Sequence, residues 1–194
     1  MKKVFFTIFL FSCLIASAQA QTEKGARLIG GSGSLYIDTE GPDNTTALSL
    51  TPRFGTFVAD NIALGTGIPV AYSTTDYYKL YTIGLTPFVR GYFGSSPTKL
   101  LLEGRAGYNR VGTNFNDDYN YMNRPDAEGY FSYGFGAGVT QFLNEHVGIE
   151  LMLNYDKANL SSNTFQSRGL TGITLNLGFQ IYLSSVLSQI TDPN

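Results

Sequence analysis

Few residues of this chain can do chemistry, and their spacing limits what that chemistry is. The chain has one histidine and one cysteine. His146 sits in the short run Asn144-Glu145-His146, and Cys13 lies in an apolar amino-terminal stretch. A Ser-His-Asp relay therefore cannot be built away from that one turn. Acidic groups crowd a second place: Asp117, Asp118, Asp126 and Glu128 share one long polar stretch that would suit an aspartate-based site. Its segment Asn114-Phe115-Asn116-Asp117-Asp118-Tyr119-Asn120 offers oxygen ligands to calcium, but it lacks the EF-hand glycine and terminal glutamate. A solvated loop is the default reading. The tyrosine and asparagine mixture there also resembles recognition surfaces, where rigid aromatics and adaptable amides make contacts. Gly31-Ser32-Gly33 is no phosphate cradle, because no helical pattern follows it. No catalytic residue, metal site or cofactor is expected.

The elements that position these residues are strands. From Gly172 to Leu183, Ile173, Leu175, Leu177, Phe179, Ile181 and Leu183 alternate with Gly172, Thr174, Asn176, Gly178, Gln180 and Tyr182. A period of two sends the first set to one face and the second to the other. Similar runs place strands at about 26–38, 46–58, 62–73, 79–93, 99–110, 129–143, 147–157 and 169–183. Pro52, Pro69 and Pro87 fall inside them, where a missing amide donor predicts bulges or breaks. The first strand is ambiguous: Ile29, Leu35 and Ile37 share one parity, Leu28 and Tyr36 the other.

Connections alternate strictly between short and long. The short ones are Ala59–Asn61, Gly94–Thr98 and Asn144–His146; the longer ones are Thr39–Thr45, Thr74–Tyr78, Val111–Glu128 and Ala158–Arg168. Ionisable residues repeatedly land on the small-residue face, as with Arg53 beside Gly55 and Glu150 beside Asn154. A soluble eight-stranded barrel would invert this, with an apolar cavity inside and charge outside. The pattern predicts an all-β fold: an eight-stranded antiparallel up-and-down transmembrane β-barrel, with short periplasmic turns, long extracellular loops and both termini in the periplasm. Tyr72, Tyr77, Tyr78, Tyr81, Tyr108, Tyr130 and Tyr155 near the extracellular strand ends, and Phe57, Phe93, Phe142 and Tyr182 near the periplasmic ends, suit two interfacial girdles.

Hairpin geometry sharpens the charges. If Phe93 pairs with Leu100, Arg90 faces Glu103 and Phe88 faces Arg105; if Leu143 pairs with Val147, Thr140 faces Glu150. Arg53, Arg90, Glu103, Arg105 and Glu150 are thus expected to form a lumenal salt-bridge cluster just above the periplasmic rim. Eight strands leave an interior that side chains nearly fill. Such a cluster reads either as a gate or ion-binding plug, or as a polar core in place of an apolar one.

Composition agrees. Charged residues make up 14% of the chain, against about 25% in typical soluble domains. Residues 1–20 read as a secretory signal peptide: Lys2 and Lys3, an apolar core from Val4 to Ile15, then Ala18-Gln19-Ala20 for cleavage. The apolar core is shorter than the ~20 residues a membrane helix needs. Lipoprotein processing at Cys13 fits less well, because bulky Phe11 stands in the way. The mature chain is then expected to start at Gln21 without any thiol. Removing two lysines and no acid makes the net charge of −2 more negative still, so nucleic acid is not an expected partner.

Two segments carry a family resemblance. Pro52-Arg53-Phe54-Gly55-Thr56-Phe57-Val58-Ala59-Asp60-Asn61-Ile62-Ala63-Leu64-Gly65 resembles a recurrent hairpin of the outer-membrane β-barrel family, the small eight-stranded OmpA-like and OmpX-like proteins. The final strand is similar to their terminal assembly signal, through Asn176, Gly178, Ile181 and Leu183. The resemblance covers Gly25 to Leu183 and implies insertion into outer-membrane lipid by the barrel-assembly machinery. Two departures stand out: Ser184–Asn194 follow the last strand as a short periplasmic tail, and those residues are too few for a peptidoglycan-binding domain. Barrel enzymes acting on lipid use rim groups that this chain lacks in obvious form. The expectation is a non-enzymatic barrel, residues 21–183, with a structural or adhesion-like surface role. Its extracellular ligand or surface would meet loops 111–128 and 158–168. A narrow channel for ions or small solutes and a lipid-modifying barrel enzyme are the alternatives.

Overall fold

The computed structural model describes residues 22–38, 45–75, 78–95, 97–115, 127–159 and 171–184. Residues 1–21, which include the expected signal peptide, Asp117, Asp118, Asp126, Tyr77, Arg168 and residues 185–194 lie outside them. The strands are β1 (Arg27–Asp38), β2 (Thr45–Ala59), β3 (Ile62–Gly67), β4 (Val70–Thr74), β5 (Tyr78–Phe93), β6 (Thr98–Phe115), β7 (Glu128–Phe142), β8 (Val147–Asn159) and β9 (Gly172–Leu183). Every pairing is antiparallel, and β1 pairs with both β2 and β9, so the sheet closes. β3 and β4 are two halves of one stave, which gives eight staves in all.

Pro69 is what divides that stave. Having no amide hydrogen, it cannot continue the ladder. Ile68 N still donates to Pro52 O (2.9 Å) and Gly84 N to Pro69 O (3.1 Å), so register is the same on both sides of the break. Pro87 leaves a smaller gap: the β5–β6 ladder skips Thr86 and Pro87 between Leu85↔Tyr108 and Phe88↔Arg105. Pro52, by contrast, sits in an unbroken β1–β2 register opposite Gly31. The irregularity in β2 comes later, as a register shift between Phe57 and Ala59 beside the turn. There Asn61 adopts φ 63, a left-handed conformation that asparagine tolerates.

Alternation sorts the side chains as a membrane barrel requires. Phe54, Val89, Leu102, Phe135, Leu151 and Leu175 stand exposed on the outer face, while their neighbours point into the lumen. In β1, Ile29, Leu35 and Ile37 face out and Leu28 is fully buried, which settles that strand. The girdle reading needs correction at four residues. Phe57, Tyr130, Phe142 and Tyr182 are buried inside, because each shares parity with the small, lumen-facing residues of its strand. Tyr72, Tyr81, Tyr108, Tyr155 and Phe93 do face outward.

Buried Leu28, Phe57, Ala63, Leu101, Phe142 and Tyr182 pack into an apolar layer at the turn end of the lumen. Beneath it, Asn61 N donates to Thr22 O (2.7 Å), and Lys99 Nζ donates to Thr22 Oγ1 (2.6 Å) and Asn61 Oδ1 (2.8 Å). The stretch before β1 is thereby tied to the turn beside it. At the other end the strands run on: 111–115, Glu128 and residues 158–159, read from sequence as loop, are strand. Val111, Tyr130 and Ala158 are buried together there, so lumen-facing apolar residues extend the wall.

Candidate functional site: the lumenal charge layer

Above the apolar layer, three arginines and three acids fill the lumen. Arg53 comes from β2, Arg90 from β5, Glu103 and Arg105 from β6, and Glu150 and Asp156 from β8. Hairpin register brings the first pair together, since Phe93↔Leu100 sets Arg90 opposite Glu103 and Phe88 opposite Arg105. Likewise Leu143 N donates to Val147 O (2.8 Å), and Thr140 lies opposite Glu150.

Arg90, 0% exposed, is the hub. Its Nε and Nη2 donate to Glu103 Oε2 (2.9 and 2.6 Å), while Nη1 donates to both oxygens of Glu150 (3.1 Å each) and to Tyr92 OH (3.2 Å). Glu103 also accepts from Arg53 Nη1 at 3.2 Å and from Arg105 Nη1 at 2.9 Å. Glu150 further accepts from Tyr182 OH (3.0 Å), Gln180 Nε2 (3.1 Å) and Thr140 Oγ1 (3.3 Å). Phe88 lies beneath two of the guanidinium groups, its centroid 5.2 Å from Arg90 Cζ and 5.9 Å from Arg53 Cζ. Planar, forked guanidinium groups suit these multiple charge-assisted bonds.

All five residues of the sequence-derived cluster meet here. Asp156, Asn154, Gln180, Tyr92 and Tyr182 complete it and were not in that set. Asp156 takes Arg105 in a two-point grip, Nε to Oδ1 at 2.8 Å and Nη2 to Oδ2 at 2.6 Å, and Asn154 Oδ1 accepts from Arg105 Nη1 at 3.0 Å. These contacts cross over β7, and β7 is glycine there. A Cβ on Gly134 would collide with Asp156 Oδ1, and one on Gly136 with Asn154 Oδ1. The lane of small residues lets two β8 side chains lean across to β6. That lane was the available signal, since Gly134 and Gly136 pair with Asp156 and Asn154.

The layer is electrically balanced, and each oxygen of Glu103 and Glu150 already accepts a bond from the protein. Such a lattice fills space and holds strands in register; it presents no free base or nucleophile. His146 stays in its turn, its Nδ1 3.2 Å from Tyr182 O. Among the described residues, no three His, Cys, Asp or Glu side chains group as metal ligands. Asn176 and Gly178 face the lumen side of β9, Ile181 and Leu183 face out, and Leu183 pairs with Arg27 to close the wall.

An antiparallel eight-stave wall, apolar outside and packed with polar groups inside, defines an integral outer-membrane β-barrel protein. The chain belongs to the outer membrane protein beta-barrel domain family, which it matches over residues 6–186. Its fold is similar to that of neisserial surface protein A, at TM-score 0.54 and 15% identity over 81% of this chain and 97% of that one. It is also similar to OprG from Pseudomonas aeruginosa, at TM-score 0.51 and 12% identity over 85% and 99%. A major outer membrane protein from Thermus thermophilus gives TM-score 0.51 and 12% identity over 81% and 99%. At these identities the likeness concerns fold. No curated protein matches the chain.

Proposed function

We propose that this protein is a non-enzymatic outer-membrane barrel whose work is done at the loop end, as a structural or surface-interaction protein. In this reading the short turns and both termini face the periplasm and the long loops face outward. The barrel-assembly machinery inserts it, reading Asn176, Gly178, Ile181 and Leu183. The observation that carries the reading is the charge layer within the lumen: Arg90 is 0% exposed and bonded to Glu103 on one side and Glu150 on the other. A solute would have to break that lattice, so the wall serves as a rigid stand for the loops. Residues 116–127 and 160–170 are the expected contact segments.

The test pairs two measurements on one protein. Purified barrel in planar bilayers should give no conductance steps. Cells displaying the barrel should bind surfaces that cells without it do not, and replacing 116–127 and 160–170 by Gly-Ser linkers should abolish that binding while heat-modifiable gel mobility persists. Conductance that changes in Glu103→Gln would make the protein a narrow channel instead. Lipid modification lost on substitution of a rim carboxylate or serine would make it an enzyme.

A further inference from the structure

The outer face of the wall is not apolar over its whole height. Near the loop end of β5, β6 and β8 it carries Lys79, Arg110 and Lys157, all exposed. Each shares the outward parity of its strand and stands two residues nearer the loops than an outward tyrosine: Lys79 beyond Tyr81, Arg110 beyond Tyr108, Lys157 beyond Tyr155. The acids of these strands and of β7 between them, Glu103, Glu128, Glu150 and Asp156, lie on the opposite, lumenal parity. None of the three cations forms an ion pair with a described residue. The turn end differs, because exposed Glu23, Asp60 and Glu145 accompany Lys24 and Arg27 there.

Arg110 has the most elaborate surroundings of the three. Its ladder partners are Ile83 on β5 and Gly129 on β7, and Gly112 is the next outward residue of its own strand. Tyrosine covers both glycines. A Cβ on Gly112 would collide with the hydroxyl end of Tyr81, and one on Gly129 with the hydroxyl of Tyr108. Two phenolic hydroxyls therefore rest against the wall on two sides of Arg110. Neither has a hydrogen-bond partner among the described residues. A guanidinium between two phenols, with no carboxylate on the same face, is a donor set that suits an oxyanion with several acceptor oxygens.

The level of this set on the wall decides which oxyanion. Outward tyrosines sit at the membrane–water interface, rings toward hydrocarbon and hydroxyls toward the headgroups. Cations just beyond them stand at headgroup level, where anionic lipid attracts them. Toward the turns the same faces continue as Leu85, Leu102, Leu151 and Leu153, exposed surface for acyl chains. A ligand with both phosphate and acyl chains uses both features; a soluble anion uses only the first.

We propose that Arg110, with the Tyr81 and Tyr108 hydroxyls, binds the phosphate of a lipid headgroup at the loop end, and that Lys79 and Lys157 extend the attraction to either side. The leaflet rests on the reading that the loops face outward, which makes the ligand a phosphorylated glycolipid of the outer leaflet. Residues 116–127 connect β6 to β7, so a lipid held here anchors the roots of that expected contact segment.

Native mass spectrometry of the folded barrel in detergent, titrated with bisphosphorylated lipid A, tests this. The unsubstituted protein should retain the lipid, and lipid A stripped of its phosphates should bind about tenfold more weakly, the loss expected for one charge-assisted interaction. Arg110→Gln should weaken lipid A binding by a similar factor. Tyr81→Phe/Tyr108→Phe and Lys79→Gln/Lys157→Gln should each weaken it less, and Arg27→Gln at the turn end should leave it unchanged. All these side chains face outward, and heat-modifiable mobility verifies that each variant has folded. Equal affinity for the two lipids, or unchanged affinity in folded Arg110→Gln, would overturn the proposal. Displacement of the lipid by an equimolar amount of inorganic phosphate would overturn the lipid as the source and assign a soluble anion. Replacing 116–127 and 160–170 by Gly-Ser linkers should leave lipid A binding intact, even where it abolishes binding of cells to surfaces. Loss of lipid A binding in that protein would move the anion site into the loops and overturn its assignment to the wall.

Discussion

The β5–β6 hairpin and the β1–β9 seam are both antiparallel pairs, yet they hold the barrel very differently. The hairpin pairs from Tyr78↔Phe115 down to Phe93↔Leu100, interrupted only at Thr86 and Pro87. The seam pairs over Arg27–Gly33 alone. A tight turn sets the hairpin's register, whereas the seam must join the two ends of the barrel, at a larger loop-closure cost. The charges follow the wall. The Arg90 and Glu103 side chains on the hairpin are both fully buried. The Arg105–Asp156 pair reaches β8, where Asp156 sits opposite Gly172, beyond the end of the β1–β9 ladder, and the Asp156 side chain is 35% exposed. The ion pair nearer the turns is dry, and the one nearer the loop end is partly exposed.

Arg90→Met should produce the largest effect. It leaves Glu150 buried with only neutral donors and strips Glu103 of its closest partner. Removing one member of a buried pair costs about 3–5 kcal/mol. A urea titration of the refolded barrel in lipid vesicles should show the loss as a lower midpoint with unchanged slope. An unchanged midpoint would mean that the hairpin ladder, and not the charge layer, holds this side of the barrel. Asp156→Asn should cost under ~1 kcal/mol in the same titration, because water already screens that pair and the amide keeps one acceptor for Arg105. A cost as large as that of Arg90→Met would erase the distinction between the dry and wet ends of the layer.

The contrast also marks what could be read from the sequence. Alternation gives eight staves, and the equal three-residue spacings from Arg90 to Phe93 and from Leu100 to Glu103 place Arg90 against Glu103 without coordinates, because a tight turn makes cross-strand partners a matter of counting. Arg105–Asp156 escaped that counting. It joins next-nearest strands, and its geometry depends on how far side chains lean across Gly134 and Gly136. Phe57, Tyr130, Phe142 and Tyr182 differ from expectation for another reason: position near a strand end suggests a girdle, while parity, the stronger constraint in a period-two element, sends them inward. The end of the β1–β9 ladder has no local signature at all. Ile173 and Leu175 alternate as cleanly as Leu177 and Phe179, although only the latter two lie where β9 meets β1.

The smallest effect is one that stability measurements would miss. Hydrogen exchange on barrels held singly in detergent micelles should separate the seam from the hairpin amide by amide. Across Phe88–Gly91 and Leu100–Arg105, both sides of each strand are paired, since β3 and β7 flank the hairpin there, so every amide should resist exchange. In Ser34–Asp38 and Gly172–Asn176, protection should alternate: amides bonded to β2 or β8 exchange slowly, and those on the seam side exchange near the rate of unstructured chain. Uniform protection along both stretches would show the seam closed in the isolated barrel. Uniform loss would show that the outer β1–β2 and β8–β9 ladders open with it. Only the alternating pattern fits two edges that are paired on one side alone.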